Sequence, residues 1–345
     1  MQNTTYPPDA RITLAHGAGG RKTSELIHDI FAKYFKGPRV ATDDAAVVPV
    51  IGSPIAMTTD GFIVSPWRFP GGNIGKLSIC GTVNDLACMG ATPRYLTCAF
   101  QIEEGFPLAD LDAIASAMAE TAAKAHIDIV AGDTKVAGKG QVDGLFITTT
   151  GIGEILPGIE TSGKNAQPGD DILVSGDIGR HGAAILLARG DYGIDADIMS
   201  DCAPLAEPIL HMLRATGHHF KDVHTIRDAT RGGVGTVLHE IASDSHVGIE
   251  INETELPIAP AVAGLTCLLG LSPLYLACEG RVVIICKSDV TDDIIYALQQ
   301  HDDTKGVKKI GTITESHAGR VMLKTEIGTE VLLPEPTGEL LPRIC

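Results

Sequence analysis

The chain has 345 residues, 44% of them hydrophobic, which is enough for two cores. A net charge of -16 argues against a protein that grips phosphate backbones electrostatically, so nucleic acid is not an expected partner. The opening MQNTTYPPDARITLAHGAGG has no apolar core and no later apolar run is long enough to span a bilayer, so a cytoplasmic protein with no membrane partner is expected.

In chain order, runs at 55–59, 95–102, 127–131 and 145–150 read as strands. Between them, 74–89 and 108–125 read as helices, the first closed by Gly90 and the second rich in alanine. A polar stretch from Pro157 to Asp170, with three glycines and a further proline, marks the expected domain boundary. Beyond it come a strand at 172–175, helices near 183–188, 205–216 and 234–242, a buried-looking strand at 282–286, and late strands near 306–313 and 321–324. The expected division is an α/β unit over 1–160, a second over 161–333, and a mobile tail over 334–345, where three prolines and a glycine disfavour regular structure.

That tail ends in Arg343, Ile344 and Cys345, a thiol able to enter a pocket as a carrier arm. The other seven cysteines form no CxxC pair and lie mostly in apolar stretches, where a reduced cysteine behaves as a small hydrophobe. His211, His218, His219 and His224 share no tight metal motif, and a solvated surface is expected for them.

Aspartates recur at the ends of apolar segments: Asp43 and Asp44, Asp60, and Asp133, with Asp85 inside a largely apolar helix. Carboxylates delivered to loop mouths suit Mg²⁺, which takes oxygen ligands and shares them with nucleotide phosphates. Taken singly, each fits a turn or helix cap better than a metal ligand, and four such sites in one half bring the two readings level. His16 to Thr23 approaches a Walker loop, but His16 and Arg21 stand where that pattern demands glycine; a phosphate cradle with Lys22 and a plain turn both remain open. Asp228-Ala229-Thr230-Arg231-Gly232-Gly233 opens a helix and fits either an anion site or a simple cap.

Taken in order, LAHGAGG (14–20), TTDGF (58–62), FPGGNIGKLSICGTVNDLACMGATPRYL (69–96), AGDTKV (131–136), RDATRGG (227–233), ACEGR (277–281) and the terminal PRIC resemble the HypE carbamoyl dehydratases of NiFe hydrogenase maturation. These sit in the superfamily of aminoimidazole ribonucleotide synthetase (PurM), selenophosphate synthetase and thiamine-phosphate kinase. The resemblance implies a two-domain PurM-like α/β fold, an N-terminal domain that pairs through its sheet in a homodimer, and ATP with Mg²⁺ between domains. It further implies metal binding by Asp44, Asp60, Asp85 and Asp133, and nucleotide contacts from His16, Gly17, Gly19, Gly20, Lys22, Thr59, Asn84, Asp228 and Arg231. The Thr-Arg-Gly-Gly sequence departs from kinase relatives, which carry a second Asp before Gly, and this weakens a kinase assignment.

The implied reaction is ATP-dependent dehydration of a carbamoyl group on Cys345 to a thiocyanate, the source of cyanide for iron. Glu279 is the implied base, assisted by Lys135. The implied partners are a HypF-like carbamoyltransferase as donor and a HypC–HypD complex as acceptor. A small-molecule kinase or ligase, and a nucleotide-binding scaffold, are the alternatives; neither uses residues 342–345.

Overall fold

A computed structural model describes residues 6–7, 9–17, 21–36, 52, 54–190, 192–217 and 220–335, without the side chains of residues 21, 23 and 24. Asp43, Asp44, Gly19, Gly20, His218, His219 and Cys345 lie outside the described residues.

A 3-10 turn (Leu14–Gly17) precedes α1 (Arg21–Leu26), a π turn (Ile27–Phe31) and α2 (Ala32–Tyr34). Then follow β1 (Ile55–Phe62), the short β2 (Arg68–Phe69) and β3 (Gly72–Asn73), α3 (Ile74–Cys88), β4 (Ala91–Glu103), α4 (Leu108–Lys124), β5 (Asp128–Ala137) and β6 (Leu145–Ile155). The long strands form one sheet in the order β1-β6-β4-β5, antiparallel except for the β4–β5 pair. Its two faces differ. Phe62, Ile147, Thr149, Cys98 and Phe100 are buried beneath α3 and α4, while the alternate positions leave Ile55 and Met57 exposed. Helix α3 is capped by Asn73, whose side chain accepts the Lys76 N–H at 3.0 Å. It is buried almost all round, as expected of a helix apolar on every side.

The second unit contains β7 (Asp170–Val174), α5 (Arg180–Arg189), α6 (Ala206–Ala215), β8 (Val223–Asp228), α7 (Gly233–Ser245), β9 (Gly248–Asn252), α8 (Pro260–Leu269), β10 (Val282–Lys287), α9 (Thr291–Gln299), β11 (Lys308–Thr314), β12 (Val321–Lys324) and β13 (Glu330–Leu332). Its sheet runs β13-β12-β9-β11-β7-β10-β8, with only β12–β9 parallel among these pairs. Strand alternation divides the packing. Ile172, Val174, Val283 and Ile285 share a core with α7, whereas Leu173 and Ile284 share one with α6 and α9.

That second core is continuous with the N-terminal one. Leu77, Val83 and Ala87 of α3 belong to the same buried cluster as Ile209, Met212 and Leu213 of α6. The connector is anchored as well: Thr161 Oγ1 donates to the Cys88 carbonyl at 2.8 Å, and Ile159 is buried against Gly90.

Candidate active site

The junction between the two units gathers acidic side chains from four elements. Asp60 lies on the helix-facing side of β1, Asp85 on α3, Asp228 at the end of β8, and Glu279 in the loop before β10. Thr58, two residues before Asp60 and so on the same strand face, donates to Asp85 Oδ2 at 2.7 Å. Asp228 stands beside Asp85, close enough for each to shift the other's titration.

Burial sets the electrostatics of the group. Asp60 is pushed up to about 6 by burial and the Asp85 charge, against the pull of Arg231. Asp228 is pushed up to about 7 by burial and Asp85, with Arg227 opposing and Asp60 adding. For Asp85, burial raises the value despite the hydrogen bond from Thr58 and the opposing influence of Asp228 and Arg227. Glu279, only 6% exposed, is held well above the usual carboxylate range by burial first, then by Cys202, Asp228, Asp201 and Asp60. Such a pocket concentrates negative charge with too little positive charge to balance it.

Beside it, the N-terminus of α7 opens on a cavity of about 400 Å³ lined by Asp228, Thr230, Arg231, Gly232 and Thr236 among others. Gly232 and Gly233 both have positive φ. A Cβ at Gly233 would meet two carbonyl oxygens, of Leu276 and Leu274, at 2.5 and 2.6 Å. The chain thus turns tightly enough to leave backbone N–H groups and the Arg231 guanidinium at the positive end of a helix, an arrangement suited to anionic oxygen.

The carboxylate oxygens of the pocket are the donor type a hard divalent cation takes, and their pKa values are raised first by burial and then by one another. Among the described residues no three His, Cys, Asp or Glu side chains form a metal-holding group, and Asp44 lies outside them.

Other expected site residues fall elsewhere. Asp133 and Lys135 sit on β5, where Lys135 Nζ lies 2.7 Å from both Asp133 carboxylate oxygens and holds Asp133 below its ordinary value. Both are exposed. Strands β1 and β5 are the opposite edges of the sheet, three strand spacings or about 14 Å apart. His16 belongs to the turn that packs against β5, with Thr13 bonded to its Nδ1, so it joins the β5 edge. Gly17 is in the same turn, and Lys22 pairs with Glu25 at 3.1 Å.

The structure places two more of the implied nucleotide contacts, Thr59 and Asn84, and corrects one expectation, the solvated setting of His224. Thr59 points to the open face of the sheet, bonded to Thr150 and the Thr149 carbonyl, because alternation along β1 turns it away from Asp60. Asn84 is 2% exposed and spent on backbone: its Nδ2 donates to the carbonyls of Ala203 and Glu279, and its Oδ1 accepts from Leu205 N–H. His224 is buried against Asp170, at 2.7 Å, instead of solvated. Asp201, which accepts the Glu279 N–H at 3.1 Å, had no signal in its sequence neighbourhood.

Comparison with known proteins identifies the family and the fold. Residues 42–155 match the model of the AIR synthase related protein N-terminal domain, and 167–324 match that of its C-terminal domain. The carbamoyl dehydratase HypE of Rhodobacter capsulatus is 43% identical over 342 residues, covering 98% of this chain and 99% of its own. Among solved structures, hydrogenase maturation protein HypE in complex with ATP superposes with a TM-score of 0.91 at 40% identity, covering 96% of this chain and 99% of that one. A HypE–HypF complex contains a chain with a TM-score of 0.79 and 43% identity, covering 90% of this chain and 99% of that one.

Proposed function

The chain belongs to the AIR synthase-related family and, within it, to the HypE carbamoyl dehydratases, and from that membership we propose that it uses ATP to dehydrate a carbamoyl group carried on its own Cys345 thiol. The observation that carries the proposal is the charge-dense pocket of Asp60, Asp85, Asp228 and Glu279 beside the α7 N-terminus. It suits a metal-bound polyphosphate and supplies a buried base.

The S-carbamoyl oxygen attacks the γ-phosphorus of ATP, while Glu279 accepts an N–H proton. ADP leaves and an iminophosphate remains. Loss of the second N–H proton then expels phosphate and leaves S–C≡N on the cysteine. Asp60, Asp85 and Asp44 would hold Mg²⁺, which offsets the charge on the transferred phosphoryl group. Arg231 and the α7 amides act on phosphate oxygens. Glu279 begins as a proton-holding group in its dry setting, so its release of the resting proton precedes each abstraction.

The tail has a feasible route. The last described residues, Pro334 and Glu335, lie beside α7: the Tyr275 hydroxyl donates to the Pro334 carbonyl and lies 3.5 Å from His239 Nε2. His239 is six residues along α7 from Gly233, roughly 9 Å. Residues 336–345 can span up to roughly 33 Å when extended, more than that separation.

The two edge groups on β1 and β5, and a sheet face carrying exposed Ile55 and Met57, support pairing through this sheet with a second copy, whose Asp133 and Lys135 would complete the pocket. A HypF-like carbamoyltransferase is the proposed donor, in line with the HypE–HypF complex of a relative, and a HypC–HypD complex the proposed acceptor.

The test is to carbamoylate the purified chain with such a transferase, add Mg-ATP and weigh the C-terminal peptide. Loss of one water is expected, and persistence of the carbamoyl mass would count against dehydration. Cys345→Ala is expected to abolish both modification and turnover with the fold intact.

A further inference from the structure

The proposed base sits on a peptide gripped from both sides. Its N–H donates to Asp201 Oδ1 at 3.1 Å, and its carbonyl accepts from Asn84 Nδ2 at 3.4 Å. Asn84 belongs to α3 of the first unit; Asp201 belongs to the segment between α5 and α6 of the second. That segment is itself tied down. Ser200 N–H donates to the Pro70 carbonyl at 2.8 Å, Cys202 N–H to Ser200 Oγ at 3.0 Å, and Leu205 N–H to Asn84 Oδ1 at 2.7 Å. Between Asp201 and the Glu279 loop there is no room for a side chain: a Cβ on Gly280 would lie 1.9 Å from the Asp201 carbonyl oxygen.

Asp201 is a poor candidate for a stabilising ion pair. Its side chain is completely buried, a costly placement for a carboxyl group unless well compensated. Its nearest cation, Arg281 Nε, stands 3.8 Å away from Oδ2. The Arg281 guanidinium is engaged elsewhere, by Asp177 Oδ1 at 2.6 Å and by the carbonyls of Asp177, Gly280 and Asp303. Among the described residues Oδ2 makes no hydrogen bond. The well-formed link that remains is the charge-assisted bond to the Glu279 peptide.

We propose that Asp201 is a positioning residue for the dehydration reaction, fixing the Glu279 peptide against Asn84 so that the carboxyl group projects at a set height into the pocket. This rests on the reading of Glu279 as the base. Positioning acts on the chemical step and leaves nucleotide binding alone, since Asp201 does not line the α7 cavity.

The experiment is single-turnover dehydration of the S-carbamoylated full-length chain as a function of ATP concentration. Asp201→Ala, or Asp201→Ser should the alanine variant not fold, is expected to lower the rate constant at saturating ATP by about tenfold or more, with the half-saturating ATP concentration unchanged. Asp201→Asn, which keeps an acceptor at the same reach, is expected to recover most of the rate. The inference is overturned if Ala and Ser variants both react at the wild-type rate, if Asn loses as much as Ala, or if the loss appears in the ATP half-saturation alone. Glu279→Gln is run alongside: full activity there overturns the base assignment, whereas an inactive Gln variant with active Ala and Ser variants at 201 overturns the positioning role.

Discussion

At the scale of single residues, the acidic pocket dominates, and its titration gives a prediction. The Asp228 carboxyl moves from an ordinary 3.8 to about 7. Between those values the native state keeps a proton that the unfolded chain has lost, so the stability from this group is present below about pH 4 and is lost as pH rises to 7. Asparagine has no such proton. In buffer without Mg²⁺ or nucleotide, the advantage of Asp228→Asn over wild type is therefore expected to grow from pH 5 to 7 and then level off, by on the order of 2 kcal/mol in denaturant titrations. A gap independent of pH would contradict the raised value. Much of this pocket was legible in the sequence, since Asp60, Asp85, Asp228 and Glu279 all follow from short motifs. The orientations of Thr59 and Asn84 were not legible, because a motif names neighbours without saying which way each points. Strand alternation puts Thr58 with Asp60, and a rotation of about 100° per helical residue puts Asn84 on the junction while Asp85 faces the pocket.

At the scale of elements, α3 carries the architecture. Its first turn lies so close to α4 that a Cβ on Gly75 would fall 2.4 Å from the Ile114 carbonyl oxygen. Gly75→Ala is therefore expected to force the helices apart and cost about 1–3 kcal/mol, a drop of a few degrees in melting temperature, despite alanine's better helix propensity. An unchanged or raised melting temperature would refute that packing. The helix itself was readable from its apolar run and Gly90. Several C-terminal elements were not: β8 (VHTIRD) mixes charge into a strand, β9 (GIEIN) is five residues long, and α8 opens on proline with a glycine inside. Their states are decided by tertiary burial that no local window contains: β9 against α7, β8 in the cluster of α6 and α9, and α8 against α5.

At the scale of the molecule, Asp133 and Lys135 stand at the sheet edge opposite the pocket of their own chain. Motif order is one-dimensional and cannot say whether two strands are sheet neighbours or opposite edges. The proposed sharing of the site between two copies makes a clear prediction. Glu279→Gln and Lys135→Ala chains, each inactive alone, are expected to regain turnover on subunit exchange, because one of the two pockets in the mixed dimer receives both native side chains. If each pocket drew on a single chain, the mixture would stay inactive.

The hydrophobic cluster that runs from α3 through α6 and α9 also bears on how the protein comes apart. Because one apolar core joins the halves, neither can melt while its neighbour persists, and calorimetry should record one heat-absorption peak whose calorimetric and van 't Hoff enthalpies agree. Proteolytic nicking of the connector near Gly163 should likewise leave the fragments co-eluting as a single particle until denaturant is added.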